Sequence, residues 1–345
     1  MIRKILFPLS LIYGLIMKFR NWAFDKGIIR SKKFNIPTIA VGNLNVGGTG
    51  KSPQIEYLIR LLTPNYDIAV LSRGYGRKSK GFLLADKKSN ADLLGDEPLQ
   101  FYRKFSNLCV AVDERRVHGI EQIQKLKPNV ELILLDDAFQ HRHVDAGLYI
   151  LLTAFGSLYV DDHLLPSGNL RESKDGAKRA ELIVVTKCPQ DLSTEEQLRI
   201  VKKLRPLAHQ QVFFSTIRYG DMILGDQKKM FITDLVGYDV LLVTGIANPK
   251  PIEEFLNQKK IAFDHLKFAD HQRLGNKELE SIYKKYVESS ADKKLILTTE
   301  KDYVRNFIDV NFPVYYLPIQ TGFIGDGDNF NKLITNYVRK NKGNC

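Results

Sequence analysis

The segment VGNLNVGGTGKSP, residues 41–53, follows the apolar run IPTIA and leads into PQIEYLIRLL, whose apolar residues recur at helical spacing. A strand, a glycine-rich turn closing in Gly-Lys-Ser and a helix form the phosphate-binding loop. In that turn Gly47, Gly48, Thr49 and Gly50 offer backbone N–H groups to phosphate oxygens, and Lys51 brings a point charge to the β- and γ-phosphates. The Ser52 hydroxyl can ligate Mg²⁺, and the helix start behind it adds its dipole. One residue is out of pattern. The general spacing has glycine six residues before the lysine, where this chain has Asn45.

Short apolar runs continue along the chain: DIAVLSRG, NLCVAV, VELILLDD, LYILLTA and ELIVVTKC, alternating with amphipathic stretches. That alternation predicts an α/β fold, a P-loop NTPase-type parallel sheet with flanking helices. Ligands of such sheets lie beyond the carboxyl ends of the strands, which places Gly42, Ser72, Asp136 and Thr186 at the site. Asp136 and Asp137 close an apolar strand, the position of the acid that holds Mg²⁺ or its waters. From about residue 210 the strand–loop–helix theme starts again in VLLVTGIANPKPIEEFLN, KKLILTTEKDYVRNF and FPVYYLPI. The expected organisation is an amino-terminal helix (1–30), a nucleotide-binding domain (31–215) and a smaller α/β domain (216–345) closing a cleft over it.

The amino terminus, MIRKILFPLSLIYGLIMKFRNWAF, is apolar from Ile5 to Met17 except at Ser10 and Gly14. A helix of that run spans about 20 Å against roughly 30 Å of bilayer hydrocarbon, too little to cross. No small-residue cleavage site follows it, so it does not read as a secretory signal. Eight Lys or Arg and one Asp fall within residues 1–33, and the whole chain carries a net charge of +12. An apolar helix flanked by cations and Trp22 reads as an interfacial anchor on an anionic leaflet, or else as a helix laid on the domain core. No compact basic block with interleaved aromatics points to nucleic acid, and no protein partner is indicated. Cys109, Cys188 and Cys345 show no metal or redox spacing.

Further polar clusters stand at strand ends. SRGYGR (72–77) exposes backbone beside arginines suited to phosphate. GDEP brings Asp96 and Glu97 to a helix start, as catalytic acids or as helix-capping ones. LLPSGNLRE supplies Arg171 and Glu172, and FADHQ supplies Asp270 and His271, in a site or in a surface loop. TKCP has Pro189 where a guanine-reading turn needs Asp.

In combination GNLNVGGTGKSP, SRGYGR, GDEP, DDAFQHR, LLPSGNLRE, FADHQ and TEKD resemble the tetraacyldisaccharide 4′-kinases of lipid A biosynthesis, over most of the chain. That family has GNxxxGGTGK[ST]P, so the resemblance accounts for Asn45. It implies transfer of the γ-phosphate of ATP to the 4′-hydroxyl of tetraacyldisaccharide 1-phosphate, giving lipid IVA, with Mg²⁺ at Ser52, Asp136 and Asp137. It implies Asp96 as catalytic base with His271 its partner across the cleft, Lys51 on the phosphates, and substrate contacts from Arg116, Arg171 and Glu172. DERRVHG offers Arg115 beside Arg116 for the same role. The acceptor's acyl chains imply a place on the cytoplasmic face of the bacterial inner membrane. Departures from the family pattern are DDAFQHR where many members have DDGLQH, and DHQ where many have a second His. The rivals are a P-loop kinase of a soluble small molecule, which has no use for the anchor, and a membrane-recruited nucleotide switch, which would leave no phosphorylated acceptor.

Overall fold

A computed structural model describes residues 6–225, 228–308 and 310–342. Arg3, Lys4 and Ile5 of the expected anchor, and Cys345, lie outside these residues. The chain forms two compact units, residues 1–217 with 321–345, and residues 218–320.

The larger unit is built on a nine-stranded sheet. Its spatial order is Ile319–Ile324, Gln211–Tyr219, Leu182–Thr186, Leu148–Ala154, Thr38–Asn43, Leu132–Asp136, Ile68–Ser72, Cys109–Val112 and Leu83–Leu84. From Gln211–Tyr219 through Cys109–Val112 every pairing is parallel. The strand before the glycine turn therefore lies between the strand ending in Asp136 and Leu148–Ala154, with Val41 in register with Asp136. Its residues alternate between two buried faces, as the pleat dictates. Ile39 and Val41 pack with Ile55, Leu58 and Ile59 of the helix Lys51–Leu62. Ala40 faces the opposite layer, with Ile120 and Ile123 of the helix Arg116–Leu126.

The expected 216–345 domain differs from this division. Phe330, Ile334 and Val338 of the helix Gly327–Lys342 are buried with Ile39 and Ile55, so residues 321–342 rejoin the larger unit. Residues 6–30 also belong to that unit rather than standing apart.

The smaller unit carries a six-stranded sheet in which Val314–Leu317, Lys294–Thr299, Asp239–Thr244 and Phe263–Lys267 run parallel. A short antiparallel hairpin, Met222–Leu224 with Lys229–Phe231, closes one edge. Leu242 and Leu297 pack against Ile252 and Leu256, while Val243 and Ile296 pack against Ile282 and Phe307.

The amino-terminal helix, Phe7–Asp25, extends past the apolar run into Lys18 and Arg20, about 28 Å in all. It lies on the larger unit by its polar side. The Ser10 hydroxyl donates to Ser167 Oγ, the Tyr13 hydroxyl to the carbonyl of Arg171, Arg20 to the carbonyl of Gln140 and Asn21 to Glu172. Leu9, Leu11, Ile12, Leu15, Ile16 and Phe19 are exposed, each more than half so. The helix is thus laid on the larger unit, burying Ala23 and Phe24, while most of its apolar residues face outward. Among the described residues no helix is long and apolar enough to cross a membrane.

Candidate active site

The glycine turn takes its shape from backbone conformations open to few residues. Gly50, the residue before the helix Lys51–Leu62, has φ +82°, left-handed space where a side chain is strained. No side chain caps this helix, so its first amides point at the turn unclaimed by a capping group. Such an end attracts anions.

Asn45 has a structural task. Its amide donates to Asp162 Oδ2 at 2.9 Å, and Asp162 also receives the side-chain and backbone N–H groups of Asn169, each at 3.1 Å. The Val46 N–H closes on the Asn169 carbonyl at 2.7 Å. The residue out of pattern therefore stitches the turn to the segment that carries Arg171. From the other side Thr186 Oγ1 donates to the Thr49 carbonyl and Lys187 Nζ to that of Gly48. A cavity of about 250 Å³ opens here, lined by Gly47, Gly48, Thr49, Phe155, Asp162 and Lys187 among others.

Charges converge at the strand ends beside the turn. Lys51 Nζ lies 3.3 Å from Asn43 Oδ1 and 3.5 Å from Asp137 Oδ1, and Arg171 lies 3.2 Å from Asp137 Oδ2. Burial alone would raise the Asp137 carboxyl, but Lys51 and Arg171 outweigh it and hold the group below the usual range. Two cations share one carboxylate, leaving positive charge for a phosphate. Asp137 also sits at φ +46°, a left-handed turn that small polar residues tolerate.

Asp136 is buried, and the Ser72 hydroxyl donates to it at 2.9 Å. Burial, then the charges of Asp137 and Glu97, push its pKa up to about 6. Glu97 adjoins Asp96 at the start of the helix Asp96–Lys104. The GDEP corner is fixed by a close approach: a Cβ on Gly95 would meet the Tyr75 carbonyl oxygen at 2.8 Å. So the SRGYGR and GDEP turns pack on one another, and this places the Asp96–Glu97 corner in the electrostatic reach of Asp136.

Arg116 and Glu172, expected at the substrate, are buried and engaged by other groups of the protein. Arg116 is buried and donates to the carbonyls of Asp113 and Asp136, at 2.5 and 3.0 Å, bracing the acidic corner from beneath. Burial drives its pKa down to about 10. Glu172 is fully buried and accepts from Arg179 at 2.6 Å and Asn21 at 3.1 Å, tying the amino-terminal helix to the loop that bears Arg171. Both residue types suit a ligand, but neither charged group is turned to solvent.

In the smaller unit, Asp270 and His271 follow the strand Phe263–Lys267. His271 has φ +60°, donates its N–H to the Gly245 carbonyl and meets Arg305 through Nδ1 at 3.0 Å. Asp162 and Arg305 escaped the sequence reading. Arg305 had a usable signal, standing one helical turn after Asp302 in TEKDYVR; the link of Asp162 to the glycine turn had none, because Asn45 lies 117 residues away.

Comparisons with known proteins point one way. The family model described as tetraacyldisaccharide-1-P 4′-kinase matches residues 2–339. A Flavobacterium johnsoniae protein named tetraacyldisaccharide 4′-kinase is 52% identical over 99% of this chain and 98% of its own length. One of the same name from Bacteroides thetaiotaomicron is 45% identical over 99% and 95%. The crystal structure of Aquifex aeolicus LpxK in complex with ATP aligns with a TM-score of 0.78 at 28% identity, covering 98% of this chain and 100% of that one.

Proposed function

The chain belongs to the tetraacyldisaccharide-1-P 4′-kinase family, and from that premise we propose how its residues divide the work. The enzyme transfers phosphate from ATP to the 4′-hydroxyl of tetraacyldisaccharide 1-phosphate in lipid A biosynthesis. The observation that carries the assignment of roles is the Lys51–Asp137–Arg171 arrangement at the mouth of the glycine turn. Amides of Gly47 to Gly50 and the Lys51 ammonium bind the β- and γ-phosphates, and Arg171 neutralises charge on the group in transfer. Asp96 takes the proton of the 4′-hydroxyl as the oxygen attacks phosphorus and ADP leaves, and His271 serves the transfer by hydrogen bonding to an anionic oxygen. Arg116 and Glu172 serve by bracing Asp136 and the Arg171 loop.

Mg²⁺ prefers oxygen donors and typically takes one or two carboxylates, phosphate oxygens and water. Ser52, Asp136 and Asp137 offer that set. The environment of Asp136, raised by burial and by Asp137 and Glu97, is one a divalent cation relieves. Bound there, the ion would supply neutralisation of the phosphate charge.

The outward apolar face of Phe7–Asp25 supports a peripheral or monotopic place on the cytoplasmic leaflet, where the acyl chains of the substrate lie. A Leu15→Glu, Phe19→Glu variant should bind vesicles containing anionic lipid at least about tenfold more weakly, since each side chain contributes roughly 1.5–3 kcal/mol when buried. Co-sedimentation measures it, and unchanged binding would remove the anchor.

Asp162→Ala should raise the KM for ATP about tenfold and destabilise the protein by about 1.5–3 kcal/mol, the range for hydrogen bonds to a charged group. Steady-state kinetics and denaturant melts read the two effects. The assignment itself is tested by mass spectrometry of tetraacyldisaccharide 1-phosphate incubated with enzyme and MgATP in mixed micelles. The acceptor should gain one phosphate at the 4′ position; folded, ATP-binding enzyme that yields no gain would sink it.

A further inference from the structure

His271 sits in a closed ring of hydrogen bonds. Its backbone N–H donates to the Gly245 carbonyl, and the Gly245 N–H donates to Asp302 Oδ2 at 3.0 Å. Asp302 Oδ1 receives Arg305 Nη1 at 3.2 Å, and Arg305 Nη2 returns to His271 Nδ1 at 3.0 Å. Thr299 secures the ring by donating its hydroxyl to Asp302 Oδ2 at 2.7 Å and accepting the Asp302 N–H as helix cap. The Arg305–Asp302 pair is buried, each side chain 2% exposed, while the imidazole is about half exposed. A guanidinium has donors only. Nδ1 facing it must therefore be the bare nitrogen, and the neutral ring keeps its proton on Nε2. On that side Asp270 Oδ1 stands 3.9 Å away, an acceptor beyond bonding distance.

We propose that Arg305 is a positioning residue: it holds His271 in the Nε2–H form, so that the exposed edge of the ring presents a hydrogen-bond donor to an anionic oxygen of the reaction. The role of that donor rests on the reading that His271 serves phosphate transfer. Under it His271 orients a carboxylate or phosphate oxygen and does not take the proton of the sugar itself. The buried Asp302 fixes the guanidinium in advance, so little freedom is lost when the ring engages its partner.

The test is a double-mutant cycle with a spectroscopic readout, on the full chain. Arg305→Met keeps the bulk and removes the donor; it should lower kcat about tenfold to a hundredfold, as small misplacements of reacting groups do, with the KM for ATP within about twofold. In a His271→Ala background the same change should have almost no effect, because the two residues act as one unit. Arg305→Lys, which retains a donor, should recover part of the loss. Long-range ¹H–¹⁵N spectra, with the His271 signals assigned by loss in His271→Gln, should show Nε2 protonated in the wild type and a rising Nδ1–H share in Arg305→Met. Additive losses in the cycle, or a wild-type ring protonated at Nδ1, would overturn the proposal. Full activity of His271→Ala would instead overturn the reading of His271, while the spectra still report on the Arg305 contact.

Discussion

Lys51→Ala should lower kcat by about a thousandfold, within the range seen when a cation is withdrawn from a phosphoryl-transfer site. The ammonium is held by Asn43 at 3.3 Å and Asp137 at 3.5 Å, at the first residue of a helix whose amides face the same turn. Its charge grows in value as the bridging oxygen of ATP takes up negative charge, so the loss falls on kcat more than on KM. Arg171 remains on Asp137, so the acidic corner keeps one cation and the fold should survive. Single-turnover transfer from labelled ATP separates the chemical step from release. A loss of less than about tenfold would mean that the lysine holds the loop and not the transition state.

Asp96→Asn should reduce kcat by about a hundredfold to ten-thousandfold, the span of general-base contributions. The residue opens the helix Asp96–Lys104, where the dipole favours an acid by about 0.5 kcal/mol. ATP affinity should be retained, since the glycine turn is held by Asn45, Asp162, Thr186 and Lys187. Calorimetric titration with a non-hydrolysable ATP analogue checks that half, and the micelle assay the other. If Glu97, whose charge already reaches Asp136, were the base, Asp96→Asn would leave turnover near wild type and Glu97→Gln would abolish it.

What the chain discloses by itself is what is local. The strand, glycine turn and helix around Lys51 lie within 25 residues, and the acids at 136 and 137 end a strand whose apolar run marks it. Contacts between distant segments are not legible in this way. Asp162 meets Asn45 across 117 residues, and Tyr13 meets the carbonyl of Arg171 across 158. The composition of the amino-terminal helix declares two faces but not which one docks; Ser10, Tyr13 and Asn21 settle it by finding polar partners. The protein contacts of Glu172 and Arg116 are hidden for a related reason. A charged side chain after a strand suits a ligand, and only the surroundings show that Glu172 is engaged by Arg179 and Asn21, and Arg116 by two carbonyls.

The return of the helix Gly327–Lys342 to the larger unit sets an order of events during synthesis. Tyr337 accepts the Thr38 N–H and donates to the Thr38 carbonyl, 299 residues apart, at the head of the strand that delivers the glycine turn. Phe330, Ile334 and Val338 fill the layer beneath that strand. While the chain is still on the ribosome, residues 218–320 can complete their own sheet as a continuous stretch, but the nucleotide-binding half waits with an open apolar face until its last helix emerges. The larger unit is therefore the later to mature, although most of it is translated first.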